Sequence, residues 1–266
     1  MRPCSGRARK ETRDAPYSLI TGASSSLGHA LAEALARQGR SLILMARYRE
    51  ELEPIALELT ERFGVEVLFR ACDLTEPLRL SGFLLELEEN ETRIDLLVNC
   101  ACLQSQGHFL ALDWGREQDL IELNILAVAR LCHAIGNNMA VQGGGQILNI
   151  ASHEGFNAGA WRTSYSASKA YVLHFTEGLR EELRQTGIRV QALCPGPIRP
   201  FLFNQRGGRA LSVEEIARQA VSALGGRRAL IIPGWRNRVK LGLSGALPRW
   251  LARKLSARTN RLRLGV

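Results

Sequence analysis

Tyr17-Ser18-Leu19-Ile20-Thr21-Gly22-Ala23-Ser24-Ser25-Ser26-Leu27-Gly28 is the stretch on which the reading of the fold turns. Tyr17 to Thr21 is a short apolar run bounded by turn residues, which reads as a buried strand. The small residues that follow form a loop, and His29 to Gln38 reads as a helix closed by Gly39. Where a strand hands over to a helix through such a loop, backbone amides and the helix dipole converge on one anion site. Gly22 allows a sharp turn, and Gly28 allows the helix to approach the sheet closely. Ser24, Ser25 and Ser26, with Leu27 behind them, could offer hydroxyls and amides to a pyrophosphate. Standing alone, the loop could equally be a serine-rich turn.

The same alternation continues along the chain. Strands are expected at 41–46, 65–70, 94–98, 145–151, 188–194 and 229–232. Helices are expected at 49–63, 76–89, 114–139, 164–186 and 212–224, the last with a capping box at Ser212 and Glu215. Strand followed by helix, repeated, implies a parallel sheet covered on both faces. The expected fold is therefore a single doubly wound, Rossmann-type α/β sheet of seven strands with helices on both faces. Such sheets bind ligands at the carboxyl ends of their strands. The expected organisation is a basic disordered arm at 1–15, a catalytic domain at 16–234 and a basic amphipathic extension at 235–266.

Composition narrows the function classes. Of the 266 residues, 45% are hydrophobic and 23% charged, which suits a globular protein with a large core. No run of about twenty apolar residues predicts a spanning helix. The six cysteines are scattered, and Cys100-Ala101-Cys102 is too closely spaced for a CxxC site, so no metal site is expected. With no signal peptide apparent, a reducing, cytoplasmic location is the expectation. The net charge of +9 is concentrated at the two ends, and no acidic residue follows Glu215. Leu243, Leu247, Trp250, Leu251 and Leu255 recur at helical spacing among arginines in the tail. A basic amphipathic stretch of that kind could rest peripherally on anionic lipid or pack on its own domain or a partner subunit. No zinc-finger spacing, RNA-binding motif or aromatic series supports nucleic acid as a partner.

The chemistry-bearing element is Ser164-Tyr165-Ser166-Ala167-Ser168-Lys169. Tyr165 and Lys169 are four residues apart, which on a helix puts both on one face. A free tyrosine, with a pKa of about 10, is roughly one part in a thousand ionised at pH 7. An ammonium about 4 Å away would favour the phenolate by about 4 kcal/mol at an effective dielectric near 20. That lowering would bring the phenol near neutrality, poised to exchange a proton with a carbinol or carbonyl. Ser152 closes the fifth strand and would face the same cleft. No G-x-S-x-G elbow surrounds it, which argues against a hydrolase nucleophile. Asn124 falls inside the long helix at 114–139, an unfavourable place for asparagine. The second strand ends Met45-Ala46-Arg47 with no acid to hold a ribose diol, and Arg47 offers a planar fork for a 2′-phosphate.

In combination, Thr21-Gly-Ala-Ser-Ser-Ser-Leu-Gly28, Asn99-Cys-Ala101, Ser152 and Tyr165-Ser-Ala-Ser-Lys169 resemble the short-chain dehydrogenase/reductase family over nearly all of residues 17–233. The resemblance implies an oxidoreductase that transfers a hydride between a nicotinamide and a carbonyl or secondary alcohol. It makes Tyr165 the general acid/base and Ser152 the group that binds the substrate oxygen. It makes Lys169 the contact to the nicotinamide ribose, and the backbone carbonyl of Asn124 the holder of a relay water. It assigns the cofactor to Gly22, Ser24, Ser25, Ser26, Leu27, Gly28, Arg47, Asp73, Leu74, Asn99, Ala101, Tyr165, Lys169, Pro195, Gly196 and Ile198. It also implies NADP(H) rather than NAD(H), and a homodimer or homotetramer built on the two long helices. The chain departs from the family pattern at Ser26 and Cys102, where members usually carry glycine, and at Arg199-Pro200, where a threonine often stands. Those departures lend weight to a second reading, a non-catalytic dinucleotide-binding regulator. Phe201, Leu202 and Phe203 could cover an apolar substrate.

Overall fold

The computed structural model describes residues 15–196, 210–245 and 249–264. Seven parallel strands form one sheet: β1 (Tyr17–Thr21), β2 (Ser41–Ala46), β3 (Val67–Ala71), β4 (Ile94–Asn99), β5 (Gly145–Ile150), β6 (Ile188–Leu193) and β7 (Leu230–Ile231). Their spatial order is β3-β2-β1-β4-β5-β6-β7, so the direction of winding reverses between β1 and β4. Beyond the carboxyl ends of those two strands a crevice must open, because successive connections leave in opposite directions.

The side chains explain why the sheet is covered twice. Successive strand residues point to opposite faces, and here both sets are apolar. Ile20, Leu42, Leu44, Val98, Leu148 and Leu193 pack beneath α1 (Ser26–Ala36), α2 (Arg49–Phe63) and α7 (Val213–Ala223). Leu19, Ile43, Met45, Leu97, Ile147 and Val190 pack beneath α3 (Pro77–Glu89) and α5 (Val128–Val141), with Phe175 and Leu179 of α6 (Thr163–Glu182) alongside. Before α5 come α4 (Trp114–Ile121) and a π-helical turn, Glu122–Ala127. After β7 come α8 (Trp235–Gly245) and α9 (Arg249–Leu264).

Of the boundaries that differ from the sequence expectation, three bear on the site or the strands around it. The first helix starts at Ser26, because the Ser25 hydroxyl caps it by accepting the Gly28 amide at 3.1 Å. The third strand begins at Val67, two residues late. The helix expected at 114–139 is two helices joined by the π-helical turn, which contains Asn124. Residues 1–14 of the basic arm, Ile198, Arg199-Pro200, Phe201 to Phe203 and Leu247 lie outside the described residues. Burial pushes the thiols of Cys100, Cys132 and Cys194 up to about 12, which keeps them protonated. No helix among the described residues is long and apolar enough to cross a membrane.

Candidate active site

At the crevice beyond β1 and β4, the chain is drawn together by one hydroxyl. Thr21 Oγ1 accepts the amides of Cys100 at 3.0 Å and Ala101 at 3.1 Å. The turn that follows has room for nothing larger than glycine. Gly22 has φ +66°, and a Cβ there would lie 2.7 Å from the Ala101 Cα. At Gly28 a Cβ would lie 2.1 Å from the Gly22 carbonyl oxygen, so the first turn of α1 can sit against the loop only because that residue is glycine. The loop thereby presents exposed Ser24 and Ser26 at a helix N-terminus. Ser25 is less available: its hydroxyl donates to the Gly22 carbonyl at 2.7 Å and accepts the Gly28 amide.

A cleft of about 610 Å³ runs from this loop in both directions. One end is lined by Arg47, Asp73, Leu74 and Thr75, the other by Ser152, Tyr165, Lys169, Pro195 and Gly196. Arg47 is exposed, its guanidinium 5.5 Å from the Tyr48 ring centroid, and no carboxylate pairs with it among the described residues. Asp73 accepts the Thr75 amide at 3.0 Å and the Thr75 hydroxyl at 2.8 Å, a local turn that fixes its carboxylate on the cleft wall. The helix that follows takes its cap position at Glu76.

At the other end, α6 brings Tyr165 and Lys169 to the same wall, as their spacing requires. Both are buried, at 7% and 3% exposure. The Lys169 ammonium donates to the Ile150 carbonyl at 2.8 Å and lies 5.8 Å from the Tyr165 ring centroid. Ser152 stands two residues after β5 at 6% exposure; its hydroxyl accepts the Glu154 amide at 3.2 Å, lies 3.5 Å from His153 Nδ1 and favours ionisation of the Tyr165 phenol.

Burial works against the acidification expected of the Tyr165–Lys169 pair. Burial raises the Tyr165 hydroxyl well above the ordinary phenol range, and the neighbouring acids Cys102 and Glu154 raise it further. Arg162 and the hydrogen bond with Ser152 act in the opposite direction without prevailing.

Two expected residues stand behind the cleft rather than on it. Asn99 is 3% exposed, with its amide donating to Asn149 Oδ1 at 2.8 Å and to the Cys132 sulfur at 3.3 Å. Asn149 in turn donates to Thr176 at 3.0 Å, so this chain of polar groups ties β4 to β5 and α6. The Asn99 side chain is thus turned into the sheet. Asn124 is 1% exposed and fully engaged: Oδ1 accepts the Leu103 amide, and Nδ2 donates to the Leu103 carbonyl and to Ser168 Oγ. It fastens the loop after β4 to the helix of Tyr165 and Lys169. Among the cleft residues that escaped the sequence reading are Gln104, Glu154 and Arg162. The only hint was that Arg162 precedes Tyr165 by three residues, one helical turn.

The sequence model of the short chain dehydrogenase family matches residues 17–208. The chain belongs to that family. As a short-chain dehydrogenase/reductase it is an NAD(P)-dependent oxidoreductase. It is 34% identical over 209 residues to an uncharacterized oxidoreductase of Staphylococcus saprophyticus, an overlap of 77% of this chain and 89% of that protein. It is 31% identical to a bulky-bulky ketone specific alcohol dehydrogenase from Comamonas testosteroni, with a TM-score of 0.76 over 88% of this chain and 95% of that one. The same identity and TM-score hold for a short-chain dehydrogenase from Sphingobium yanoikuyae in complex with NADPH, over 88% of this chain and 97% of that one.

Proposed function

We propose that this short-chain dehydrogenase/reductase reduces a bulky, apolar carbonyl compound to a secondary alcohol, using NADP(H) and Tyr165 as proton donor. The observation that carries the reading is one continuous cleft with Arg47, unpaired among the described residues, at one end and Ser152, Tyr165 and Lys169 at the other. The residues fit a dinucleotide. The glycine-dependent loop leaves no bulk at the α1 N-terminus where phosphates are favoured. Arg47 suits a 2′-phosphate, and Asp73 and Leu74 wall the same end. Ala101, Pro195 and Gly196 line the reactive end, with Gly196 against Asn237. The dinucleotide, when bound, supplies or accepts the hydride. The NADPH complex of the Sphingobium relative and the bulky-ketone specificity of the Comamonas relative support this choice of cofactor and substrate class.

The rest is done by side chains of this chain. Ser152 offers its hydroxyl to the carbonyl oxygen and so holds it within reach of Tyr165. Tyr165, kept protonated by its surroundings, gives its proton to that oxygen as charge develops there. Lys169 supports the resulting phenolate from one turn along the helix. A phenol that holds its proton at neutral pH suits reduction more than oxidation.

The cofactor assignment is tested by titrating NADPH and NADH into the wild type and Arg47→Ser. Loss of a charged hydrogen-bonding partner costs about 1.5–3 kcal/mol, so NADPH affinity should fall roughly 10- to 100-fold while NADH affinity holds. An unchanged NADPH affinity would remove Arg47 from the cofactor site.

Two partner readings accompany this. Exposed Trp114, Ile121 and Leu126 on the α4–α5 stretch and Tyr171 on α6 support a homo-oligomer joined through those helices. In the tail, Trp235 and Trp250 are 67% and 56% exposed, each beside a cation, Arg236 and Lys254 respectively. Indoles beside cations suit the interface of an anionic bilayer.

A further inference from the structure

The cation nearest the Tyr165 ring is Arg162. Its guanidinium carbon lies 4.6 Å from the ring centroid, closer than the Lys169 ammonium at 5.8 Å. Both of its terminal nitrogens are committed. Nη1 pairs with the Glu154 carboxylate, and Nη2 donates to Gln104 Oε1 at 2.7 Å. The ion pair is well covered, at 19% and 13% side-chain exposure. Three separate segments therefore meet on one planar group: the loop after β4, the turn after β5 and the start of α6. Trp161, just before it, has φ +61°, a conformation that a bulky side chain adopts only when its surroundings hold it there. The Trp161 carbonyl accepts the Gly107 amide at 2.8 Å, a further tie between the same two regions.

Nη1 and Nη2 each hold an acceptor and Nε is buried, so the face of the guanidinium is what Arg162 turns to the ring. Its effect must pass through the ring it covers. We propose that Arg162 is a positioning residue for the reaction: gripped by Glu154 and Gln104, its guanidinium holds the Tyr165 ring in place beside Ser152. This rests on the reading of Tyr165 as the proton-transferring group. A planar fork can lie flat on an aromatic ring while holding two acceptors at its edge, which an ammonium cannot do.

The groups facing Tyr165 are Arg162 and Lys169 from α6, Glu154 and His153 from the turn after β5, and Cys102 from the loop after β4. Arg162 favours the phenolate and Glu154 disfavours it. The two halves of one ion pair thus pull the phenol in opposite directions, and removing them one at a time should have opposite signs.

The test is the pH dependence of alcohol oxidation, which rises as Tyr165 loses its proton, for wild type, Arg162→Met, Arg162→Lys, Glu154→Gln and Tyr165→Phe. Thermal melting and NADPH binding are followed on each variant. Arg162→Met should move the rising limb to higher pH by about one pH unit and lower the rate at neutral pH about tenfold, with NADPH affinity retained. Glu154→Gln should move the limb to lower pH, and Arg162→Lys should restore part of the lost rate. Should Arg162→Met fail to fold, Glu154→Gln still carries the sign. An inactive Tyr165→Phe alongside wild-type limbs for the Arg162 and Glu154 variants overturns the inference alone. A fully active Tyr165→Phe overturns the Tyr165 reading and this inference with it.

Discussion

Tyr165 lies among Arg162, Lys169, Glu154 and Cys102, largely buried in the cleft wall. Which influence prevails decides the direction in which the enzyme works best. Desolvation disfavours the charged form, and for a phenol that means holding the proton. Because the hydroxyl is raised above the ordinary phenol value, it is protonated throughout the neutral range. Carbonyl reduction, which needs the protonated form, should stay level from pH 6 to 9, whereas alcohol oxidation should keep climbing with pH over the same range. Rate profiles in both directions check this, and an oxidation rate that levels off near pH 7 would mean an acidified phenol after all. The Tyr165–Lys169 face was legible because helical periodicity is local. The Arg162–Glu154–Gln104 junction was not, since it joins a helix start to two aperiodic loops whose paths no spacing rule fixes. The hydrogen bond from Lys169 to the Ile150 carbonyl was not legible either, because it crosses from the helix to the end of β5.

The π-helical turn at Glu122–Ala127 shows what one interrupted element can position. Such turns put an extra residue into a helix and are frequent at functional sites. Here the turn carries Asn124, whose amide satisfies the backbone of Leu103 in both directions and also bonds Ser168 on the neighbouring helix. Asn124→Ala would leave the Leu103 amide and carbonyl without their partner in a buried place. Each unsatisfied group costs about 1–3 kcal/mol, so we expect a stability loss of about 2–4 kcal/mol, read as a lower urea midpoint. Loss of activity should accompany it, since the loop it fastens contributes Cys102 and Gln104 to the cleft. A midpoint within error of the wild type would show that Asn124 does not hold that loop. The sequence pointed to Asn124 as out of place in a helix, but its apolar spacing runs on through the extra residue. One turn of altered pitch is too short to disturb a pattern read over 26 residues, 114 to 139. The helix start at Ser26 was blurred for a related reason: three consecutive serines could each cap, and only Ser25 does so.

The strand–helix alternation made the whole fold legible, because both faces of every central strand had to find a helical cover. Repetition of that kind fixes which strand ends share a cleft before any side chain is placed, which is why the glycine loop and the Tyr165 helix could be read together. The tail was harder. Its leucine stripe suggested an amphipathic helix, and the structure gives two helices, with Asn260 of α9 buried and donating to the Ala160 carbonyl at 3.1 Å. That contact is two residues from Arg162, so the extension is tied to the reactive end as well as carrying its exposed tryptophans outward. A chain ending at Gly234 should therefore sediment less with anionic vesicles than the full chain; equal sedimentation would exclude a lipid role for the tail. The account of catalysis depends on the enzyme moving a proton through a single phenol. The most direct measurement is the NADPH-dependent reduction of a bulky apolar ketone by wild type and Tyr165→Phe, with NADPH binding measured on both. The expected result is a rate lowered by a factor of about 10²–10⁴ at unchanged NADPH affinity, and a Tyr165→Phe enzyme that turns over at the wild-type rate would contradict it.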